Sequence, residues 1–205
     1  MNVKEALKEL RKEKGRKFSQ SVDFIVNLKG IDLKRENVNL IANLPYKIKD
    51  KKICGFLTSK TNLIDSVTKD QFIKYKDKSS LKKLVNSYDF FIAHAPLMPS
   101  VATTFGKVLG PSGKMPSPQL GILPQDNDEA IKQVIDKITK AIKVRVKETS
   151  IKVCVGKENM SDEQLAENIS SAYKSIIEAL PKKMDNVKNI MLKMTMTKPI
   201  KVEMR

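Results

Sequence analysis

The stretch Gly106–Pro118, GKVLGPSGKMPSP, sets three glycines, three prolines and two lysines within thirteen residues. Glycine and proline both interrupt helices and central strands, so this composition reads as a shaped loop. Amides freed at the glycines, beside Lys107 and Lys114, suit an anion, and the whole chain has a formal net charge of +16. A nucleotide cradle needs a stricter pattern. The template GxxxxGK[ST] wants a glycine five positions before Gly113, where Val108 stands. Met115 takes the place of the magnesium-binding hydroxyl, and Pro116 and Pro118 forbid the helix that should follow. A GxGxxG fingerprint is absent as well. Two readings remain: a contact for a nucleic acid backbone, or a structural loop without a ligand.

The other reactive side chains are few. His94 is the only histidine and follows an apolar run, which suits a structural role and cannot supply a His-rich metal site. Cys54 and Cys154 each sit in an apolar, strand-like run, 100 residues apart, and read as buried free thiols of a cytosolic protein. The carboxylates are dispersed among lysines on helix faces. No nucleophile–base–acid set can be assembled around one histidine, so no catalytic residue, metal or cofactor is expected. An α/β enzyme that modifies a nucleotide or RNA, such as a methyltransferase, is the alternative. It would need a glycine-rich loop after an early strand and a ribose-binding acid, and neither is evident. A general DNA-binding protein is the third class, without a recognition-helix or zinc-finger pattern to support it.

Composition favours a polyanion partner. Lys and Arg number 39 against 23 Asp and Glu, and the sequence pI is about 9.7. The excess is +5 over residues 1–50, +8 over 51–148 and +3 over 149–205, so it belongs to folded parts and not to a basic tail. Residues 1–11 form a charged amphipathic segment without a leader-type core, and no apolar run approaches the roughly 20 residues of a spanning helix, so no membrane role is expected. Aromatic residues are only 5% and tryptophan is absent. A basic chain so poor in stacking platforms should read a structured RNA by shape and backbone.

The elements that must position these residues follow from periodicity. Apolar spacing predicts a helix over Asn2–Glu13, strands over Ser21–Lys29, Asn37–Leu44 and Ile53–Thr58, and helices over Lys69–Lys76 and Ser79–Ser87. Tyr88–Ala95, apolar but for Asp89 and His94, reads as a buried parallel strand. A helix over Leu97–Leu109 leads into the Gly/Pro loop. Asp126–Ile142 is an amphipathic helix with Asp126 or Asn127 as N-cap and Ile131, Val134, Ile135, Ile138 and Ile142 on one face. A strand over Ser150–Val155 is followed by a helix over Ser161–Leu180, with Ser161 and Gln164 as a capping box. Val187–Thr197 and Ile200–Met204 alternate as strands. Two strand-rich ends thus flank a βα-alternating middle. From pattern alone, an inserted domain and a single α/β domain are both open.

Two short segments have the side chains for RNA contacts. Arg16–Ser21 (RKFSQS) places basic residues before an aromatic and hydroxyls where a strand begins, and Thr195–Pro199 (TMTKP) offers hydroxyls beside a lysine. On their residues alone, an ordinary strand edge is the favoured reading of each.

Taken together these segments resemble the ribosomal protein L-one family, the protein of the mobile stalk of the large ribosomal subunit. The resemblance is carried by Lys17–Pro45 (KFSQSVDFIVNLKGIDLKRENVNLIANLP), Asp89–Pro99 (DFFIAHAPLMP), Leu109–Pro118 (LGPSGKMPSP), Leu165–Ile176 (LAENISSAYKSI) and Lys193–Pro199 (KMTMTKP), in the family's order and over nearly the whole chain. The form of LGPSGKMP is closer to archaeal members. The resemblance implies an α/β (α+β) fold of two domains: a discontinuous rRNA-binding domain over residues 1–48 and 149–205, and an inserted Rossmann-like three-layer domain over 49–148. It implies a non-enzymatic, cytoplasmic constituent of the large subunit that is a monomer off the ribosome. Its partners would be stalk rRNA, exit-site tRNA and its own mRNA, whose translation it would repress. Carried over by motif, Lys17, Phe18 and Ser21 match the basic-aromatic pair and following hydroxyl at the strand start, and Thr195 and Met196 match the Thr-Met of a C-terminal Thr-Met-Gly motif. Thr197 departs from that glycine and is carried over with them as an RNA contact. Gly110, Gly113 and Lys114 match the inserted domain's loop, as a second RNA contact.

Overall fold

The computed structural model describes residues 1–12, 17–32, 38–75, 77–125, 127–146 and 148–204. The expected positions Glu13, Arg16, Asn37, Lys76 and Asp126 lie outside them. In chain order the elements begin with α1 (Val3–Lys12), β1 (Ser21–Leu28), β2 (Asn39–Asn43), β3 (Ile53–Phe56) and β4 (Asp65–Val67). Next come α2 (Lys78–Ser87), β5 (Phe90–His94), α3 (Met98–Ser112), β6 (Ile122–Leu123), α4 (Asp128–Lys140) and β7 (Ala141–Arg145). The chain ends with β8 (Ser150–Lys157), α5 (Asp162–Ala179), β9 (Val187–Met194) and β10 (Ile200–Val202). It divides into two compact units, Met1–Lys49 with Lys140–Arg205, and Asp50–Thr139.

The first unit is built on a four-stranded antiparallel sheet in the order β10-β9-β1-β8. In β1, SVDFIVNL alternates strictly, so Val22, Phe24, Val26 and Leu28 are buried while Ser21, Asp23, Ile25 and Asn27 face the other way. The buried face packs into one core with Ala6, Leu7 and Leu10 of α1 and Leu165, Ile169, Ala172 and Ile176 of α5. Phe24 meets Tyr173 edge to face at 6.4 Å. The capping box predicted for α5 is present: Ser161 Oγ accepts the Gln164 amide and Gln164 Oε1 accepts the Ser161 amide, both at 3.3 Å. Such a cap contributes about 1 kcal/mol.

The antiparallel pair β2–β7 joins the same core through Leu40, Ala42 and Val144. Asn168, wholly buried on α5, is satisfied there: its Oδ1 accepts the Tyr46 amide at 3.0 Å, and its Nδ2 donates to Tyr46 O and Val155 O. The pairing of β2 with β7 corrects the expected domain limit. Residues 140–148, read as the end of the inserted domain, belong to the first unit. Ile142 does not continue the helix from Ile138; it lies in β7 opposite Ala42. The i to i+4 spacing fits a helix by coincidence, and the strand pairing prevails. The corrected limit also redistributes charge. The first unit holds 26 Lys and Arg against 14 Asp and Glu, a net +12, whereas the second holds 13 against 9, a net +4.

The second unit carries a parallel sheet in the order β4-β3-β5-β6. As the apolar runs predict, β3 is buried along its length and β5 pairs in parallel on both sides. Phe56, Phe72, Phe91 and Phe105 form an aromatic core, with Phe56 and Phe105 centroids 4.7 Å apart. Lys69–Tyr75 is a 3₁₀ turn in place of the expected α-helix, and the short strand β4 before it has too few residues to announce itself. The carbonyl of Asn127 accepts the first bond of α4 from the Ile131 amide at 3.0 Å.

The largest correction concerns Gly106–Pro118. α3 runs on through Gly106, Gly110 and Pro111 to Ser112. Pro111 stands in the last turn, lacks the amide that would reach the Lys107 carbonyl, and is followed by only one more helical residue. Gly113 ends the helix in the left-handed region at φ 72°, its amide donating to Gly110 O at 3.0 Å while the Lys114 amide reaches Leu109 O at 3.1 Å. The irregular chain begins only at Lys114.

Candidate nucleic-acid interface

The expected site residues of the first unit meet at one end of its sheet. β9 ends at Met194, opposite Val22, so Thr195 falls beside Ser21. The Thr195 amide donates to Ser21 O at 3.1 Å, and Thr195 Oγ1 accepts the Ser21 amide at 3.0 Å. The two hydroxyls are also 3.0 Å apart. The Thr195 side chain thus takes the acceptor place that its own carbonyl would hold in a continued ladder. The backbone leaves the sheet and turns over Met194–Thr197, closed by the Thr197 amide on Met194 O at 3.2 Å.

That turn presents Met196 outward. Among the described residues five large hydrophobic side chains are exposed, and two of them, Phe18 at 51% and Met196 at 57%, belong to this sheet end. Lys17, Thr195 and Lys198 are exposed beside them in the chain, and Ser21 is half-buried. Lysine for phosphates, hydroxyls for sugars and apolar surface for bases stand together on a rigid support.

Thr197 is different. It is buried, and its Oγ1 accepts the Met194 amide at 2.9 Å. Its φ is not positive, so the glycine usual in the family motif is not required by the backbone here. The expected RNA-contact role of Thr197 gives way to one of shaping the turn.

Two supporting residues carry no sequence signal of their own. Gln20 is 3% exposed; its Oε1 accepts the Met196 amide at 3.1 Å, its amide donates to Glu158 Oε2, and its carbonyl accepts the Glu158 amide. Arg11, the next-to-last residue of α1, holds the β8–α5 connection through Asp162 Oδ1, Glu158 O and Met160 O at 2.6–2.8 Å. Only the fold brings residues 11, 20, 158 and 196 together. A basic residue ending an amphipathic helix and a glutamine before a strand are otherwise unremarked.

The expected second contact does not assemble as an anion cradle. The Gly113 amide is engaged in the helix cap, and Gly110 lies within the last turn of α3 with open space around its Cα. Lys114 Nζ donates to Val85 O and Tyr88 O, each at 2.7 Å, so its charge serves the C-terminal carbonyls of α2. His94 Nδ1 is 2.9 Å from Thr58 Oγ1 at the end of β5, in keeping with a structural role. Cys54 and Cys154 are both free, the first buried and the second half-buried. Burial, and after it the Asp65 carboxylate, pushes Cys54 up to about 12. Among the described residues no group of three His, Cys, Asp or Glu side chains is placed to hold a metal, and no helix is long and apolar enough to cross a membrane.

Residues 10–198 match the model of the ribosomal protein L1p/L10e family. The chain is 36% identical over 204 residues to the large ribosomal subunit protein uL1 of Pyrobaculum aerophilum, an overlap of 94% of this chain and 89% of that one. It is 35% identical over 215 residues to the protein of the same name from Pyrococcus horikoshii, and 36% over 213 residues to that of Archaeoglobus fulgidus; each overlap takes in 98% of this chain and 95% of the relative.

Proposed function

The chain belongs to the ribosomal protein L1p/L10e family, and from that premise we propose that its discontinuous unit grips folded rRNA of the large-subunit stalk through the sheet end at Ser21 and Thr195. It is a structural constituent of the large ribosomal subunit, an archaeal-type member, and not an enzyme. The nucleotide- or RNA-modifying alternative is thereby set aside. The cytoplasm, where the subunit works, is its place.

The observation that carries the reading is the joint exposure of Phe18 and Met196 around the Ser21–Thr195 hydroxyl pair. The net +12 of that unit supports it, because phosphate contacts supply most of the affinity for RNA. The hydroxyls bond sugar or phosphate, Lys17 and Lys198 meet phosphates, and the two apolar side chains lie against unstacked bases. Through the same surface the protein would repress its own mRNA where that message folds like the rRNA site. Its hold on the stalk is the means by which it would assist tRNA at the exit site.

Filter binding with a transcript of the stalk rRNA tests the reading. Phe18→Ala and Thr195→Ala should each weaken binding by about tenfold, the equivalent of roughly 1.4 kcal/mol, with the fold intact by circular dichroism. Unchanged affinity in both variants rejects this sheet end as the grip. Crosslinking in cell extract should recover the stalk region of the rRNA; recovery of unrelated RNA would reject the target.

A further inference from the structure

The two exposed apolar side chains of the sheet end stand just outside its ladder. β1 begins at Ser21, so Phe18 lies in the lead-in to the strand, and β9 ends at Met194, so Met196 lies in the turn that leaves it. The β8–α5 connection fixes the lead-in. The Glu158 amide donates to Gln20 O at 2.8 Å, and Glu158 Oε2 accepts the Gln20 amide at 3.1 Å. Next to them Ser19 Oγ donates to Asn159 Oδ1 at 3.2 Å. On the other side the Met196 amide donates to Gln20 Oε1 at 3.1 Å. Both halves of the exposed surface are thus tied to Gln20, and Gln20 is tied to the connection.

A third element fastens the connection. From the end of α1, Arg11 Nε donates to Asp162 Oδ1 at 2.8 Å, Nη1 to Glu158 O at 2.8 Å and Nη2 to Met160 O at 2.6 Å. Three donors of one planar group meet three acceptors spread over residues 158–162. A guanidinium has the fixed fork for this, and an ammonium on a flexible stem does not. All three of its nitrogens are engaged within the protein, and its charge is paired with Asp162.

We propose that Arg11 and Gln20 are positioning residues for RNA binding, which set the affinity without meeting the ligand. The inference rests on the RNA-binding reading of the sheet end given above. Gln20 is buried, with its side-chain oxygen on Met196 and its amide on Glu158. Arg11 holds the residues that hold Gln20. A surface kept in its bound arrangement before binding loses less conformational freedom on association, and its affinity is higher by that difference. Without this clamp the Phe18 lead-in and the Met196 turn each have to be ordered by the RNA. One basic side chain on α1 thereby acts on two apolar contacts that it does not touch.

The test measures binding of the full chain to the stalk rRNA transcript between about 50 and 200 mM salt, well below the thermal midpoint of every variant. Arg11→Lys keeps the charge and breaks the fork. It should weaken binding by about tenfold and leave the slope of log K against log salt unchanged. Arg11→Ala should behave in the same way. A slope reduced by roughly 0.7–0.9, the value of one phosphate contact, would make Arg11 a ligand and overturn its positioning role, as would full affinity in Arg11→Lys. Gln20→Met keeps the bulk and removes the acceptor, and it too should weaken binding at constant slope. In that background the loss caused by Met196→Ala should shrink by at least about twofold, because the two residues act together; losses that simply multiply overturn the part of Gln20. Ile176→Val, which trims the core of the same unit, controls for stability. It should lower the midpoint and keep the affinity, and an equal loss of affinity at an equal midpoint overturns the clamp. If Phe18→Ala and Met196→Ala weaken binding while the Arg11 and Gln20 variants do not, the clamp is overturned and the sheet end stands. If Phe18→Ala and Met196→Ala change nothing, the sheet-end reading fails and the clamp with it.

Discussion

Thr195 Oγ1 stands 3.0 Å from the amide nitrogen of Ser21 and 3.0 Å from its hydroxyl. One side chain thus ends a strand, satisfies the first amide of its neighbour and frees the backbone to turn Met196 outward. The two positions are 174 residues apart, and neither hydroxyl has this role without the other strand.

Thr195→Ser keeps the hydroxyl, whereas Thr195→Val keeps the shape and loses it. The valine variant should lose about 1 kcal/mol of stability, the worth of one such hydrogen bond, and most of the RNA affinity attributed to this end. The serine variant should stay near the unaltered chain in both. Thermal denaturation with filter binding reads the two effects; equal behaviour of serine and valine would refute the hydroxyl's role.

Thr197→Ala leaves the buried Met194 amide without its side-chain acceptor. The expected cost is about 1–3 kcal/mol, or roughly 2–4 °C in thermal midpoint for each kcal/mol in a chain of this size. RNA affinity should fall less than for Thr195→Ala, because the Thr197 hydroxyl faces inward. A variant of unchanged midpoint and strongly reduced affinity would return Thr197 to the contact surface.

Lys114→Met removes an ammonium from Val85 O and Tyr88 O while keeping a chain of similar length. Hydrogen bonds to a charged group contribute about 1.5–3 kcal/mol each, so a loss of that order is expected for the second unit. Hydrogen exchange at the end of α2 should quicken. Affinity for the stalk transcript should not change, and a tenfold drop without loss of protection would reinstate Lys114 as a ligand.

Tyr88 titrates late. Its burial first, and then its hydrogen bond to Asp65 Oδ2 at 2.9 Å, push the phenol up to about 12 from an ordinary value of 10.0. The folded chain therefore holds this proton where the unfolded chain has released it. The stability it contributes is whole below pH 10, declines above it, and is lost as pH passes about 12. Tyr88→Phe should flatten the fall in denaturant midpoint between those limits relative to the unaltered chain. Parallel curves for the two would show that the phenol is not responsible.

How much of this can be read from the chain depends on range. β1 and α5 announce themselves, because SVDFIVNL alternates at period two and the capping box at Ser161 and Gln164 is complete within four residues. Gly106–Pro118 misleads, because composition says that glycine and proline are present but not that Gly106, Gly110 and Pro111 are taken up by the end of α3 before Gly113 stops it. Ile142 misleads in the same way: only its partner Ala42, a hundred residues earlier, decides between helix and strand. At the site, Phe18 and Thr195 are found through motifs, whereas Gln20 and Arg11 are invisible, since their meaning lies in carbonyls and amides that only the fold supplies.

The position of β1 in its sheet also sets an order of events. β1 is complete at Leu28, yet both its neighbours, β8 and β9, begin only at Ser150 and Val187. At roughly 5–20 residues per second the first of them leaves the translating ribosome about 6–25 s later. The second unit, Asp50–Thr139, is synthesised whole within that wait. Six residues separate it from β2 and one from β7, two strands that pair, with the Leu44 amide on Lys140 O at 2.9 Å. A second unit folded within that wait would hold together strands nearly a hundred residues apart and lower the loop-closure cost of the sheet that follows. The insertion thereby acts as a template in time: the older end of the chain waits for the younger, and the middle brings them together.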